Sequence, residues 1–251
     1  MKLLFGKPYQ LVALLALTIT LAGCASPEVA GGVLDPYEAR NRNVHEFNRS
    51  VDKALLRPAS TVYGGILPEP MRLGVGNFAS NLSIPGTVLN DVLQLNIEDA
   101  LHNTARFLIN STFGLGGLFD PALSAGVEPR DSDFGETMHV WGFQEGAYME
   151  VPFIGPSTTR DTVGMVVDLF IDPINTLLPA PERYVGPVVA VASNVGDRYR
   201  FRGTIDSILY ESADSYAQAR LLYLESRRFD LGGESDAVSD DLYDLYEEDY
   251  E

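Results

Sequence analysis

Residues 159–171 read Thr159-Arg160-Asp161-Thr162-Val163-Gly164-Met165-Val166-Val167-Asp168-Leu169-Phe170-Ile171. From Val163 onward the segment is apolar on nearly every side, and Asp168 is the one carboxylate inside it. A helix that is apolar all round lies deep in a core or in lipid. This one falls well short of the roughly 20 residues that a membrane span needs. Ser157 can cap a helix over 158–171. Within it Asp161, Gly164 and Asp168 stand at i, i+3 and i+7, a narrow stripe of small and acidic residues on one face. Two arrangements satisfy such a stripe. One is internal ion pairing to Arg160 or another arginine; the other is an aqueous passage that the stripe lines while the rest of the helix meets core or lipid.

The neighbouring segments are helical as well. Asp35-Pro36 is a cap residue followed by proline at a first helical position. Tyr37, Val44, Phe47, Val51 and Leu55 then keep helical spacing as far as Arg57-Pro58. A helix starting near Pro68-Glu69-Pro70 is weakened by Gly74 and Gly76, and Pro85-Gly86 opens a separate short one to about Leu95. From Asn96 to about Phe113, Ile97, Leu101, Ala105, Leu108 and Thr112 share a face. Phe107 and Ile109 make its apolar surface broad. Asp133 with Glu136 fits a capping box at the head of a helix over about 131–141.

Residues 142–156 cannot be regular helix, and Tyr148–Pro152 suits a brief extended piece. Gly142, Gly146 and Gly155 can adopt backbone conformations barred to other residues. We read them as the hinges of a mobile gate, with a static connector as the other reading. Residues 173–187 are rich in turns, and 187–230 are largely helical with breaks near Gly203 and Ser212. No stretch alternates for long enough to build a sheet. The predicted class is all-α: a single domain of many short helices over 35–231, lying partly in a membrane.

The two ends differ in kind from this body. Lys2 and Lys7 precede a short apolar run, Leu11 to Leu21, that ends in Leu21-Ala22-Gly23-Cys24, so residues 1–23 read as a secretory signal peptide. The ending resembles the lipobox of bacterial lipoproteins. That resemblance implies diacylglycerol on Cys24, the only cysteine, as the first residue of the mature chain. No aspartate follows Cys24, which by the same resemblance favours the outer membrane, on its periplasmic side. Residues 24–34 are a flexible tether. Residues 232–251 hold nine acidic side chains and no basic one and read as a disordered tail. Setting aside that tail and the two lysines of the signal, the body carries 16 basic and 26 acidic groups, a net charge of −10 against −17 for the whole chain. Such a body repels nucleic acid.

Catalytic patterns are missing from the sequence. His45, His102 and His139 sit singly on separate segments, without the convergent spacing of a metal site. Gly155-Pro156-Ser157-Thr158-Thr159 is not a nucleophile elbow, because glycine is absent from its fifth position. Gly114-Leu115-Gly116-Gly117 lacks the lysine of a phosphate loop. The reading is therefore no enzyme, no metal, and no cofactor beyond the covalent lipid on Cys24.

An ordered set of short motifs remains: Asp35-Pro36, Asn41-Arg42, Phe47-Asn48 and Arg57-Pro58; Gly74, Gly76-Asn77-Phe78, Asn81-Leu82 and Pro85; Arg106-Phe107, Asn110, Thr112, Gly114 and Gly117; Asp133-Phe134-Gly135, Trp141-Gly142, Gly146, Pro152, Gly155-Pro156-Ser157 and Arg160-Asp161. In this order, over about residues 35–175, they resemble the MlaA (VacJ) lipoprotein family. The resemblance implies an all-helical ring embedded in the inner leaflet of the outer membrane and associated with a porin trimer. It implies removal of phospholipid that has strayed to the outer leaflet, through an amphipathic passage, and delivery to a soluble periplasmic carrier of the MlaC kind. Asp161, Gly164 and Asp168 are then candidates for lining the passage, and Gly142, Gly146 and Gly155 for gating it. Two other classes stay open: a non-transporting structural lipoprotein that anchors a partner complex, and an envelope hydrolase acting on lipid or peptidoglycan, which would need a convergent nucleophile, base or metal site that the sequence does not display.

Overall fold

The computed structural model describes residues 34–232, and of Asn175 only the backbone. The signal peptide, Cys24, the tether before Leu34 and the tail beyond Gly232 lie outside the described residues.

Helix α1 runs Glu38–Val51, and the chain does not stop at Arg57-Pro58 as the spacing predicts. A π turn over Asp52–Leu56 leads directly into α2, Arg57–Ile66. Pro58 has no amide hydrogen to give, and it falls in the first turn of α2, where none is required. Asp35 is not the cap of α1: the preceding residue is Tyr37, without a side-chain cap. Asp35 instead accepts from Asn41 Nδ2 at 2.9 Å, pairs with Arg220 at 2.6 Å, and accepts from the Tyr216 hydroxyl.

The largest departure is α3. Glu69–Leu93 form one helix of 25 residues with Pro85 inside it, where two helices were expected. An interior proline costs about 3 kcal/mol. Here α3 is packed along both α4 (Ile97–Phe113) and α9 (Val185–Arg200), and that tertiary contact outweighs the local penalty. α4 begins as expected, with Asn96 accepting from the Asp99 amide. After α5 (Pro121–Ser124), α6 (Phe134–Val140) is capped by Asp133, whose carboxylate accepts from Glu136 N at 2.8 Å.

The expected extended piece is one arm of a hairpin, β1 (Tyr148–Val151) and β2 (Gly155–Thr158), antiparallel with Tyr148 opposite Thr158. α1 holds the free edge of β1 through two asparagines seven residues apart. Asn41 Nδ2 donates to Tyr148 O at 3.1 Å while its Oδ1 accepts from Glu150 N; Asn48 Nδ2 donates to Val151 O at 3.0 Å while its Oδ1 accepts from Phe153 N. Each carboxamide, with one donor side and one acceptor side, substitutes for a residue of a neighbouring strand. α7 (Thr159–Ile171) follows with Thr158, not Ser157, as its cap. The chain ends in α8 (Pro173–Leu177), α9, α10 (Arg202–Asp206), a second π turn (Ser207–Glu211) and α11 (Ser215–Asp230).

Burial is inverted relative to a water-soluble bundle. Among the described residues the buried set comprises six hydrophobic side chains and eighteen polar or charged ones, whereas thirty-five large hydrophobics are exposed. On α4 the stripe of Ile97, Leu101 and Leu108 faces outward, with Leu101 67% exposed, and Asn103, Arg106 and Asn110 face inward. α1 and the residues that flank it behave alike: Asn41, His45 and, in the π turn, Asp52 are buried, and Tyr37, Phe47 and Leu55 are exposed. Broad exposed apolar surface marks a membrane or partner contact. No described helix is long and apolar enough to cross a membrane.

The interior charges are partnered, with one instructive exception. Asp91 is 2% exposed and accepts from Asn103 Nδ2 at 2.9 Å, with no cation beside it. Burial, reinforced by the nearby Asp99, pushes its carboxyl above the ordinary range even though the Asn103 bond pulls the other way. A raised acid gives stability that is full below the unfolded pKa, near 4, and is lost as pH rises through the folded value. Asp91→Asn keeps an acceptor for Asn103 and removes that loss. Its melting temperature at pH 7 is expected to exceed wild type by roughly 2–4 °C, the shift that ~1 kcal/mol produces in a domain of this size. The gap should close toward pH 4; a variant that melts lower at pH 7 contradicts this.

Candidate functional site

One face of α3 carries Gly76, Ser80, Ser83, Thr87 and Asn90, small or polar residues at alternating steps of four and three. That spacing keeps them in one row, and the row borders three cavities in succession. The first, about 470 Å³, lies between α3, α7 and α11 and reaches Ser83, Gly86, Thr87 and Asn90. The second, about 200 Å³, shares Thr87 with it. The third, about 460 Å³, shares Asn77 and Ser80 with the second and extends to Glu69. At 1.5 Å per residue, Glu69 to Asn90 is about 30 Å of continuous wall.

The two acidic members of the α7 stripe both line the first cavity. They differ in charge environment. Asp161 faces cations: Arg160 and Arg227 both stand 3.2 Å from its Oδ1, and the Tyr223 and Thr158 hydroxyls donate to Oδ2 at 2.8 and 2.9 Å. Burial works against its charge, but the arginines and these hydrogen bonds prevail and hold the carboxyl below its usual range. Asp168 meets neutral donors, Asn90 Nδ2 at 2.9 Å and Phe134 N at 3.0 Å. Burial, with Asp133 and Asp172 nearby, pushes its carboxyl up. Asn90 is held in turn by Thr137, whose hydroxyl donates to Asn90 Oδ1 at 3.0 Å. The cavity thus has an ion-paired corner, where Arg227 bridges Asp133 and Asp161, and a neutral, hydrogen-bonding wall at Asn90.

Gly164 lies between these carboxylates but against α6 instead of open space. A Cβ there would stand 2.7 Å from Gly135 Cα and closer still to its amide nitrogen. The space that glycine leaves is filled by backbone. Gly142, Gly146 and Gly155 all have positive φ, of 89°, 74° and 103°. They lie apart from the first cavity: Gly142 borders another with His139 and Arg160, and Gly155 one beneath the hairpin. Sequence reasoning missed the α3 row because Pro85 was taken as a break, although the spacing of 76, 80, 83, 87 and 90 was there to read. It also missed Arg227 and Tyr223, which come from α11.

One arrangement imitates a hydrolase. Ser215 Oγ is 3.0 Å from His45 Nε2, and His45 Nδ1 is 3.2 Å from Glu150 Oε1. Yet Glu150 Oε2 accepts from the Tyr148 hydroxyl at 2.5 Å, and the His45 ring packs edge-on against Tyr216. His45 and Glu150 border the cavity beneath the hairpin, and the wall of that cavity does not include Ser215. The trio clamps α1, the hairpin and α11 together. Among the described residues no group of three or more histidines and carboxylates is placed to hold a metal.

The sequence profile of the MlaA lipoprotein family matches residues 33–230. The intermembrane phospholipid transport system lipoprotein MlaA of Escherichia coli is 31% identical, covering 94% of this chain and 98% of that protein. An uncharacterized protein of Rickettsia typhi is 35% identical over 75% of this chain and 74% of its own length. A solved structure described as the structural basis for maintenance of bacterial outer membrane lipid asymmetry superposes with a TM-score of 0.64 at 29% identity, covering 78% of this chain and 98% of that one. With its helices, its inverted burial and its ordered motifs, this chain belongs to the MlaA lipoprotein family.

Proposed function

We propose that this chain carries phospholipid within the cell envelope, along the polar row of α3. Acylated Cys24 anchors it to the periplasmic side of the outer membrane, and its exposed apolar helices lie in the inner leaflet. It takes phospholipid that has strayed to the outer leaflet and gives it to a soluble periplasmic carrier, and a porin trimer holds it in place. The observation that carries this reading is the inverted burial: an apolar exterior around a polar interior, with three cavities that share wall residues along α3. A phospholipid crossing hydrocarbon needs polar groups for its head, because uncompensated charge there costs several kcal/mol. The Escherichia coli relative, a lipoprotein of an intermembrane phospholipid transport system, supports the same cargo, and the solved structure, concerned with outer membrane lipid asymmetry, supports a lipid. Asp161 and Asp168 line the passage with Gly164 beneath them, while Gly142 and Gly146 form the turns on which the loop before the hairpin moves and Gly155 closes the hairpin. The reading includes no enzymatic step.

A deletion strain of the source organism tests this through its outer-leaflet phospholipid. Deletion should raise that level and the wild-type chain should restore it. Cys24→Ala should leave an unacylated protein, away from the outer membrane, that does not restore it. A structural anchor predicts no change on deletion. Ser215→Ala should restore the level fully; failure of a folded, correctly located Ser215→Ala protein would favour a hydrolase.

A further inference from the structure

Sixteen basic side chains lie between Cys24 and Leu231, and ten of them form ion pairs among the described residues. Of the other six, Arg72, Arg200 and Arg202 line a single cavity, the space of about 460 Å³ between the first half of α3 and the end of α9. Glu69 and Asp197 line the same cavity, so its wall carries three guanidiniums and two carboxylates that form no ion pairs among the described residues, and a bound group of both charges would satisfy them.

The site is built. The guanidinium carbons of Arg72 and Arg202 lie 4.7 and 4.4 Å from the centre of the Tyr199 ring. That ring is seated on Gly64, where a Cβ would overlap its carbons. Arg202 also donates from Nη1 to Tyr199 O at 2.9 Å, and stacking leaves the rest of its N–H edge and that of Arg72 for a ligand. Arg72 Nε is buried with no hydrogen-bond partner. So is the Tyr63 hydroxyl, which lies against Gly196 of the same cavity wall. Buried donors without acceptors are costly in a finished structure. Glu69 and Asp197 line the same space, and neither forms an ion pair among the described residues. The wall therefore presents both signs of charge, unneutralised, in one place.

We propose that this cavity binds the head group of a zwitterionic phosphodiester. Arg72 and Arg202 take the phosphate, Arg200 adds positive charge, and Glu69 and Asp197 take the ammonium. A planar guanidinium matches phosphate oxygens two at a time, and charge-assisted bonds of this kind are the strong ones. The cavity shares Asn77 and Ser80 with the next one along α3, so a head group held here stands at one end of the polar row. This inference rests on the phospholipid reading above and adds a place and a head-group class to it.

The test uses the full lipidated protein in detergent, titrated with dihexanoyl phosphatidylethanolamine, dihexanoyl phosphatidylglycerol and inorganic phosphate. Wild type should bind the ethanolamine lipid most tightly. The Arg72→Gln/Arg202→Gln protein should bind it at least tenfold more weakly, and Glu69→Gln/Asp197→Asn should lose the preference for ethanolamine over glycerol. Arg40→Gln, outside the cavity, should bind as wild type. If the double arginine variant does not fold, Arg72→Lys, which keeps the charge and loses the planar stack, should still weaken binding several-fold. Undiminished binding in a folded arginine variant, or no binding of the lipids to wild type, overturns the site. Inorganic phosphate binding as tightly as the lipid assigns it to a free anion and overturns the head-group assignment. Equal or tighter binding of the glycerol lipid overturns the ammonium pocket. A chain that restores outer-leaflet phospholipid yet binds no head group here overturns this inference alone. A wild-type chain that moves no phospholipid overturns the transport reading itself.

Discussion

Arg198→Met is expected to lower stability by about 3–5 kcal/mol, the cost of leaving a buried charge without its partner. Arg198 is buried and grips Asp52 with two bonds, Nε to Oδ1 at 2.7 Å and an Nη to Oδ2 at 2.9 Å. Asp52 opens the first π turn, and its Oδ2 also accepts from Tyr210, inside the second, at 2.7 Å. Arg198 reaches Asp206, just before that second turn, at 2.6 Å. Both π turns, each a local weakness in a helix, therefore meet at one guanidinium. Burial opposes the Asp52 charge, but Arg198 and Tyr210 more than compensate and hold its carboxyl below the ordinary range. A depressed acid gives stability that is present above the unfolded pKa, near 4, and is lost as pH falls through the folded value. Methionine keeps the unbranched apolar stem and removes the guanidinium, so Asp52 would lose its cation. Thermal unfolding at pH 7 should shift down by about 10 °C or more. The companion variant Arg198→Met/Asp52→Asn removes the stranded charge and keeps an acceptor for Tyr210, and it should recover most of the loss. A double variant no more stable than Arg198→Met would contradict the ion-pair explanation.

Gly164→Leu should be comparably damaging, for a steric reason. Leucine at this position would have to enter the backbone of Gly135, at the crossing of α6 and α7. The close approach is mutual, since a Cβ on Gly135 would stand 2.6 Å from Asp161 Oδ1. Overpacking usually costs 1–3 kcal/mol. Backbone cannot move aside as a flexible side chain can, so the upper end or more is expected here, about 3 kcal/mol. Separating the helices would also break the Phe134 amide bond to Asp168 and strain the link from Arg227 to Asp133 and Asp161. Transport should fail in this variant because α6 and α7 part, and its melting temperature should fall with it. A Gly164→Leu protein that melts with wild type would contradict the crossing.

How much of this was legible varies with the range of the interaction involved. The cap at Asp133 was readable because an N-cap is settled within four residues. The amphipathic character of α1 and α4 was readable too, but periodicity alone cannot tell which face turns inward, and here the polar face does. Pro85 misled because its local penalty is real, whereas the packing of α3 between α4 and α9 that overcomes it is not local. The α7 stripe was found from spacing. Its partners Asn90 and Arg227 lie 78 and 66 residues away, beyond any spacing rule. Asp161 forms the ion pairs of the first arrangement and also borders a cavity.

The passage itself is tested most directly at Gly86. This glycine lines the first cavity, and a Cβ built there meets nothing within 4 Å. Gly86→Phe should therefore leave the fold and its melting temperature nearly unchanged while its ring occupies the first cavity, beside the hydrogen bond from Asn90 to Asp168. The measurement is outer-leaflet phospholipid in a deletion strain that carries either wild type or Gly86→Phe at equal abundance in the outer membrane. Restoration by wild type, with phospholipid held at the deletion level by the folded Gly86→Phe protein, is the predicted result. A Gly86→Phe protein that restores asymmetry as fully as wild type would show that phospholipid does not pass along α3.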